Sequence, residues 1–426
     1  MIIHVVQPGE TIDSIANYYG VSVARLIQEN ELRTPNNLVV GETLVILYPE
    51  VTYTVVEGDT LESIAASHGI SLMELLRNNI YLSDREYIYP GEVLVIRYTD
   101  QKIRSISTNG YAYPFIDRNI LRKTLPFLTY LTIFSYKFTA EGNLVNIEDE
   151  EVIQIARAYG VAPIMLLSTM TEKGIQDISI AENVLNNNEA QTNLINNILI
   201  TMESKDYYGL NIDFQYIHPN DRQSFVNFVS RVTKELNKRG YYVYITIAPS
   251  TFEVETGIVY RGIDYKSLGE IANGAILLSY QWGYSYGLPI GTLPFITIGK
   301  LIDYAAVQIS NNKITLGIPI IGYVWELPYI DGVTRANSIS HDNAVALAGE
   351  MGVSIQYDET SQTSYFHYID IQEYVVLFKD ARGINGFLKL SDEHNFSGIG
   401  TWNIMSFFAR MWLVINPQYD IIKVTL

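Results

Sequence analysis

Apolar residues along this chain occur in two rhythms. Short continuous or alternating runs at 103–106, 130–134, 162–167, 209–214, 242–247, 274–279, 314–320 and 398–402 read as strands. Between them, 117–128, 149–159, 190–204, 221–239, 296–310 and 371–385 space their apolar residues three and four apart and read as helices. Strand then alternates with helix, which implies parallel pairing, since each strand is followed by a crossover. Eight such strands predict an α/β chain closed into a (β/α)8 (TIM) barrel over 103–426. Residues 336–368 break the rhythm with turn-rich Ser, Asp, Thr and Gln around 358–364 and read as an insertion.

The first hundred residues follow another pattern, and it is duplicated. His4-Val-Val-Gln-Pro-Gly-Glu-Thr-Ile-Asp-Ser-Ile-Ala16 returns as Tyr53-Thr-Val-Val-Glu-Gly-Asp-Thr-Leu-Glu-Ser-Ile-Ala65. Gly9, Thr11, Ile15 and Asn30 align with Gly58, Thr60, Ile64 and Asn79, and after one inserted residue Gly41 aligns with Gly91. Each copy reads as a strand, a Gly-Glu/Asp-Thr turn capping a short helix, a second helix and a closing strand. Two βααβ modules, 1–49 and 50–98, are therefore expected before the barrel.

Composition narrows the partners. A net charge of −17 disfavours nucleic acid and anionic membrane surfaces, which need basic patches. No cysteine is present, and the six histidines show no ligand spacing, so neither disulfide, metal nor cofactor is expected. No P-loop occurs, and no apolar run approaches the ~20 residues of a membrane span. The chain enters its first repeat at Met1-Ile-Ile-His4 without the basic and apolar regions of a signal peptide, so no leader is expected.

The chemistry concentrates in Tyr208-Gly-Leu-Asn-Ile-Asp-Phe-Gln-Tyr216. Strand alternation puts Asn211, Asp213 and Gln215 on one face and Leu210, Ile212 and Phe214 on the other. Three polar side chains at the end of a buried strand are costly unless they have a task. This segment resembles the D-x-x-D-x-D-x-E signature of glycoside hydrolase family 18, the chitinase-like enzymes. Asn109–Asp117, Leu128–Tyr136, Ser279-Tyr-Gln-Trp-Gly-Tyr284, Gly317–Tyr323 and Gly398–Trp402 resemble successive strands of its spore-cortex branch, which contains LysM-bearing N-acetylglucosaminidases. The duplicated modules likewise resemble LysM, which binds N-acetylglucosamine units of peptidoglycan or chitin.

The resemblance implies roles. Family 18 catalysis is substrate-assisted: the sugar's 2-acetamido oxygen attacks the anomeric carbon. Asp213 would then orient the acetamide N–H and oppose the oxazolinium charge, Tyr280 would hydrogen-bond its carbonyl, Trp402 would floor the sugar ring, and residue 215 would protonate the leaving oxygen. The insertion would be a small α+β unit walling the cleft. Spore association, in coat or cortex, or attachment to the cell wall is implied, with either a trimmed leader or deposition by the mother cell accounting for a missing leader.

This chain departs from the pattern. Gln215 stands where the acid belongs, and an amide has no proton to transfer. Gln281 replaces a carboxylate, while Tyr208 and Asn211 take the signature's first and second Asp positions. Departures at several sites favour natural divergence over one engineered change. Glu326, past the seventh strand, is the candidate substitute acid, although a solvated loop role suffices for it. Trp282 and Trp325 are further groove candidates, and Trp412 lies in a helical pattern and reads as core. In the modules Gly9, Thr11, Asp59 and Thr60 are sugar-contact candidates, although turn and cap roles alone explain them. Three classes of function follow: an impaired or inactive family 18 barrel that binds glycan, an active hydrolase using another acid, or a spore-coat structural protein.

Overall fold

The computed structural model describes residues 1–82, 85, 87–170, 177–214, 217–248, 262–279, 295–330 and 333–426. Module 1 comprises β1 (Ile2–Val5), α1 (Ile12–Tyr19), α2 (Val23–Asn30) and β2 (Thr43–Ile46). Module 2 repeats it as β3 (Pro49–Thr54), α3 (Leu61–Ser67), α4 (Leu72–Asn78) and β4 (Val93–Tyr98). In each, the outer strands pair antiparallel. The duplicated residues build the same joints twice. Thr11 with Ser14, and Thr60 with Ser63, form capping boxes that satisfy the first amides of α1 and α3. Asn30 donates to Leu26 O and Val45 O and accepts from Val45 N–H, tying α2 to β2. Asn79 does the same with Leu75 and Val95.

The barrel strands are β5 (Arg104–Ala112), β6 (Tyr130–Phe138), β8 (Ala162–Ser168), β9 (Gly209–Asp213), β10 (Tyr242–Ile247), β11 (Gly274–Leu278), β12 (Ile314–Pro319) and β18 (Gly398–Trp402); β7 (Leu144–Val145) is a hairpin stub on β6. All eight pair in parallel, and the β5–β6 pairing closes the ring. Around it run α5 (Arg118–Thr124), α6 (Glu150–Ala158), α7 (Ile178–Leu185), α8 (Asn188–Lys205), α9 (Arg222–Asn237), α10 (Tyr265–Ile271), α11 (Phe295–Gln308), α13 (Ala381–Glu393) and α14 (Ala409–Gln418), with β19 (Tyr419–Ile421) on the edge of β5. The strands' outward residues and these helices share one continuous apolar core. Among the described residues no helix is long and apolar enough to cross a membrane.

The insertion is an antiparallel five-stranded sheet ordered β14 (Asn337–Ile339), β13 (Gly322–Leu327), β17 (Glu373–Phe378), β16 (Thr363–Ile369), β15 (Gln356–Asp358), with α12 (His341–Glu350) against it. It runs from Gly322 to Phe378, wider than the 336–368 expected. The helix expected over 371–385 is wrong in its first half. Glu373-Tyr-Val-Val-Leu-Phe378 is β-branched and aromatic, and it lies between β13 and β16. Helix starts only where Asp380 accepts from the amides of Arg382 and Gly383.

Both modules are built onto the barrel. Val45 and Leu47 of module 1, and Ile80, Val95 and Tyr98 of module 2, belong to the barrel's own apolar core. Arg410 of α14 donates to Glu42 at 2.5 Å, both side chains buried. Arg77 of α4 donates to Pro126 O and to Asn416 Oδ1, and Asn416 donates back to Asn78 Oδ1 at 2.8 Å.

Candidate active site

β9 alternates as its sequence requires. Leu210, Ile212 and Phe214 face the helices, and Phe214 stacks with Phe138, Phe225 and Phe228. Asn211 and Asp213 are fully buried on the opposite, inward face. Asn211 donates to the Tyr111 hydroxyl at 3.4 Å and accepts from the Thr246 hydroxyl at 3.1 Å. One amide thereby joins β9 to β5 and β10. Burial, then the charge of Asp213, raises the Tyr111 phenol well above its usual range, so this hydroxyl stays protonated.

Trp402 ends the last barrel strand, 9% exposed. Its ring meets Tyr111, Tyr113 and Phe134 edge-on, with centroids 5.6, 6.0 and 5.1 Å away. Phe115, 75% exposed, stacks on Tyr113 at 5.2 Å. An aromatic path therefore leads from Trp402 out to the surface. The strand-end readings overlooked Tyr111, Tyr113, Phe115 and Phe134. Period-two spacing of Tyr111, Tyr113 and Phe115 was the available signal.

Gln215, Tyr280, Gln281 and Trp282 lie outside the described residues. Tyr208 sits just before β9, at the end of the strand remote from Asp213, stacked on Tyr242 at 5.1 Å and 6°. Its departure from Asp bears on packing at that end. Trp325, expected beside a groove, is instead 1% exposed in a cluster with Ala336 and Val375, so its face is not offered to a ligand in this structure. The physical reason is that β13 belongs to the insertion sheet and turns this indole into the sheet's own core. Glu326, next to it, is exposed and pairs in register with Tyr374.

In the modules, the candidate contacts have internal partners. Asp59 accepts from the Tyr53 hydroxyl at 2.9 Å and the Val56 amide at 2.8 Å. Gly9 and Gly58 adopt φ of +84° and +90°, which a side chain would strain. Thr11 and Thr60 cap. Folding also gathers Glu182, His218 and Asp221, ligand-type atoms within 4.8 Å of one another, which spacing did not reveal. Asp221 accepts from Asn186 and His218 Nδ1 from the Asn220 amide, so these groups already brace the turn into α9.

Residues 177–406 match the model of glycosyl hydrolases family 18, and residues 4–47 and 53–97 each match the LysM domain. The chain is 32% identical to the cortical fragment-lytic enzyme of Bacillus subtilis across 100% of both chains. It is 30% identical to that organism's putative sporulation-specific glycosylase YdhD, covering 97% of this chain and 98% of the relative. The crystal structure of the Bacillus megaterium spore cortex-lytic enzyme SleL superposes with a TM-score of 0.83 at 29% identity, covering 99% of each chain.

Proposed function

The chain belongs to glycosyl hydrolases family 18, and from that premise we propose a spore-wall protein held on N-acetylglucosamine-containing peptidoglycan by its LysM modules, whose barrel grips the same polymer but cleaves it slowly or not at all. The observation that carries the reading is the amide at 215. It continues the sequence face of Asn211 and Asp213, where the family's signature has a carboxylic acid. An amide N–H can hydrogen-bond the glycosidic oxygen but cannot protonate it.

The other parts of a substrate-assisted site have candidates. Asp213 is buried and inward, positioned to hold an acetamide N–H and to oppose oxazolinium charge. Trp402, ending the last barrel strand, is the proposed sugar platform. Tyr280 is the proposed partner of the acetamide carbonyl, and Gln281, in a carboxylate's place, withholds a second negative charge. Relatives named as cortex-lytic support the spore cortex as the place of action.

The test is release of reducing ends from spore-cortex fragments by the chain as written and by Gln215→Glu. General acid catalysis is worth about 10²–10⁴-fold, so the substituted form should gain at least part of that factor. An aryl glycoside with an acidic phenol should show a smaller gap, because its leaving group needs little protonation. Full-length likeness to lytic enzymes favours a second reading, hydrolysis through another acid such as Glu326. Robust turnover by the Gln215 form, abolished by Glu326→Gln, would establish that reading and sink the first.

A further inference from the structure

The two modules share a fold but differ in what covers the end of the loop before their closing strand. In module 1 the end of the loop from α2 to β2, residues 39–41, is covered by the insertion. Val39 is 7% exposed, in a cluster with Ala344, Ala348 and Phe366. The Ile355 amide donates to Val40 O at 2.8 Å. A Cβ added to Gly41 would lie 1.9 Å from the Ile355 carbonyl oxygen. In module 2 the aligned positions are open. Tyr89, the counterpart of Val39, is 61% exposed, and Tyr87 is 70% exposed. A Cβ on Gly91 would meet nothing within 4 Å.

The two glycines make the same joint in each module. Gly41 N–H bonds to Val6 O at 2.8 Å, and Gly91 N–H bonds to Val55 O at 2.8 Å. The surroundings differ. Glu42 turns to Arg410 of the barrel, whereas its counterpart Glu92 pairs with Arg85 of its own module at 2.9 Å.

We infer that module 1 is a docking piece whose loop is spent on the insertion, and that module 2 makes the modules' contact with wall glycan through Tyr87 and Tyr89. The inference rests on the reading that these modules bind glycan at all. Two exposed phenol rings on one loop suit the apolar C–H faces of N-acetylglucosamine, with hydroxyls left to meet its polar edges. Val56, 56% exposed, follows Val55, whose backbone bonds Gly91 and Glu92, and it extends the apolar surface. Acidic residues outnumber basic ones in module 2, which favours a neutral sugar chain over an anionic polymer.

The test is cosedimentation of the full chain with insoluble chitin. Tyr87→Ala/Tyr89→Ala should weaken apparent affinity about tenfold, the size of one lost aromatic contact near 1.4 kcal/mol. Tyr18→Ala removes an exposed aromatic ring of module 1, 80% exposed, and should leave binding within about twofold. Circular dichroism melts of each variant confirm that these surface changes leave folding intact. If the parent pellets and the double variant pellets equally well, the inference fails while the glycan-binding reading stands. Loss of binding in Tyr18→Ala alone would put the contact on module 1 and overturn the assignment. A parent that stays in the supernatant would overturn both.

Discussion

Single residues show how identical sequence signals acquire different work. Gly41 and Gly91 are repeat-equivalent, with φ of +88° and +92°. Alanine at either must adopt a left-handed backbone, costing about 1–3 kcal/mol. At Gly41 the new methyl would also strike the Ile355 carbonyl. Gly41→Ala should therefore destabilise the full chain by at least ~2 kcal/mol more than Gly91→Ala, the scale of overpacking. Urea melts of the two variants measure this, and equal costs would mean that the loop is not docked on the insertion. The polar face of β9 shows a residue-scale signal that was legible. Asn211, Asp213 and Gln215 alternate with apolar neighbours, and the chemistry of an amide against an acid needs no coordinates. What the alternation did not give was the partners: Tyr111 and Thr246 come from other strands, 100 and 35 residues away.

At the scale of elements, α2 of module 1 and β4 of module 2 meet through a buried carboxyl. Glu29 pairs with Arg25 at 2.7 Å and accepts from the Tyr98 hydroxyl at 3.1 Å. Burial outweighs these favourable contacts and pushes Glu29 up to about 7 from an ordinary 4.5. Between those values the folded chain holds a proton that the unfolded chain releases. This group's stabilisation is complete below about 4.5 and is lost as pH rises through about 7. Relative to Glu29→Gln, the parent should gain about 1–3 kcal/mol on going from pH ~8 to pH ~5. Thermal melts of both across that range provide the measurement. A pH-independent difference would mean that the carboxylate stays charged and paired throughout. Elements also mark where sequence reading failed. The apolar run at 373–378 is short and fits helix or strand locally, and only its two flanking strands decide it.

Across the whole molecule, the modules and the barrel share one core and a buried ion pair. Arg410→Ala would strand Glu42, 5% exposed, without its cation. Such a loss costs about 3–5 kcal/mol, although Arg410→Met, which leaves the carboxylate equally unpaired but fills the space, should recover the packing part. Calorimetry of the full parent chain should give one cooperative transition, with Arg410→Ala lowering it and splitting module 1 from the barrel. Two well-separated transitions in the parent would refute the shared core. The sequence by itself determined what local periodicity and residue chemistry encode: two βααβ repeats, eight strands alternating with helices, an inward polar face on β9 and an amide in the acid's place. These follow from hydrogen-bond periods and side-chain types that each segment carries alone. The tertiary structure alone decided which equivalent residues are covered. Val39 and Tyr89 occupy one position of one repeat, yet the first is buried and the second exposed. Burial is set by what packs from far along the chain, and no local pattern contains it.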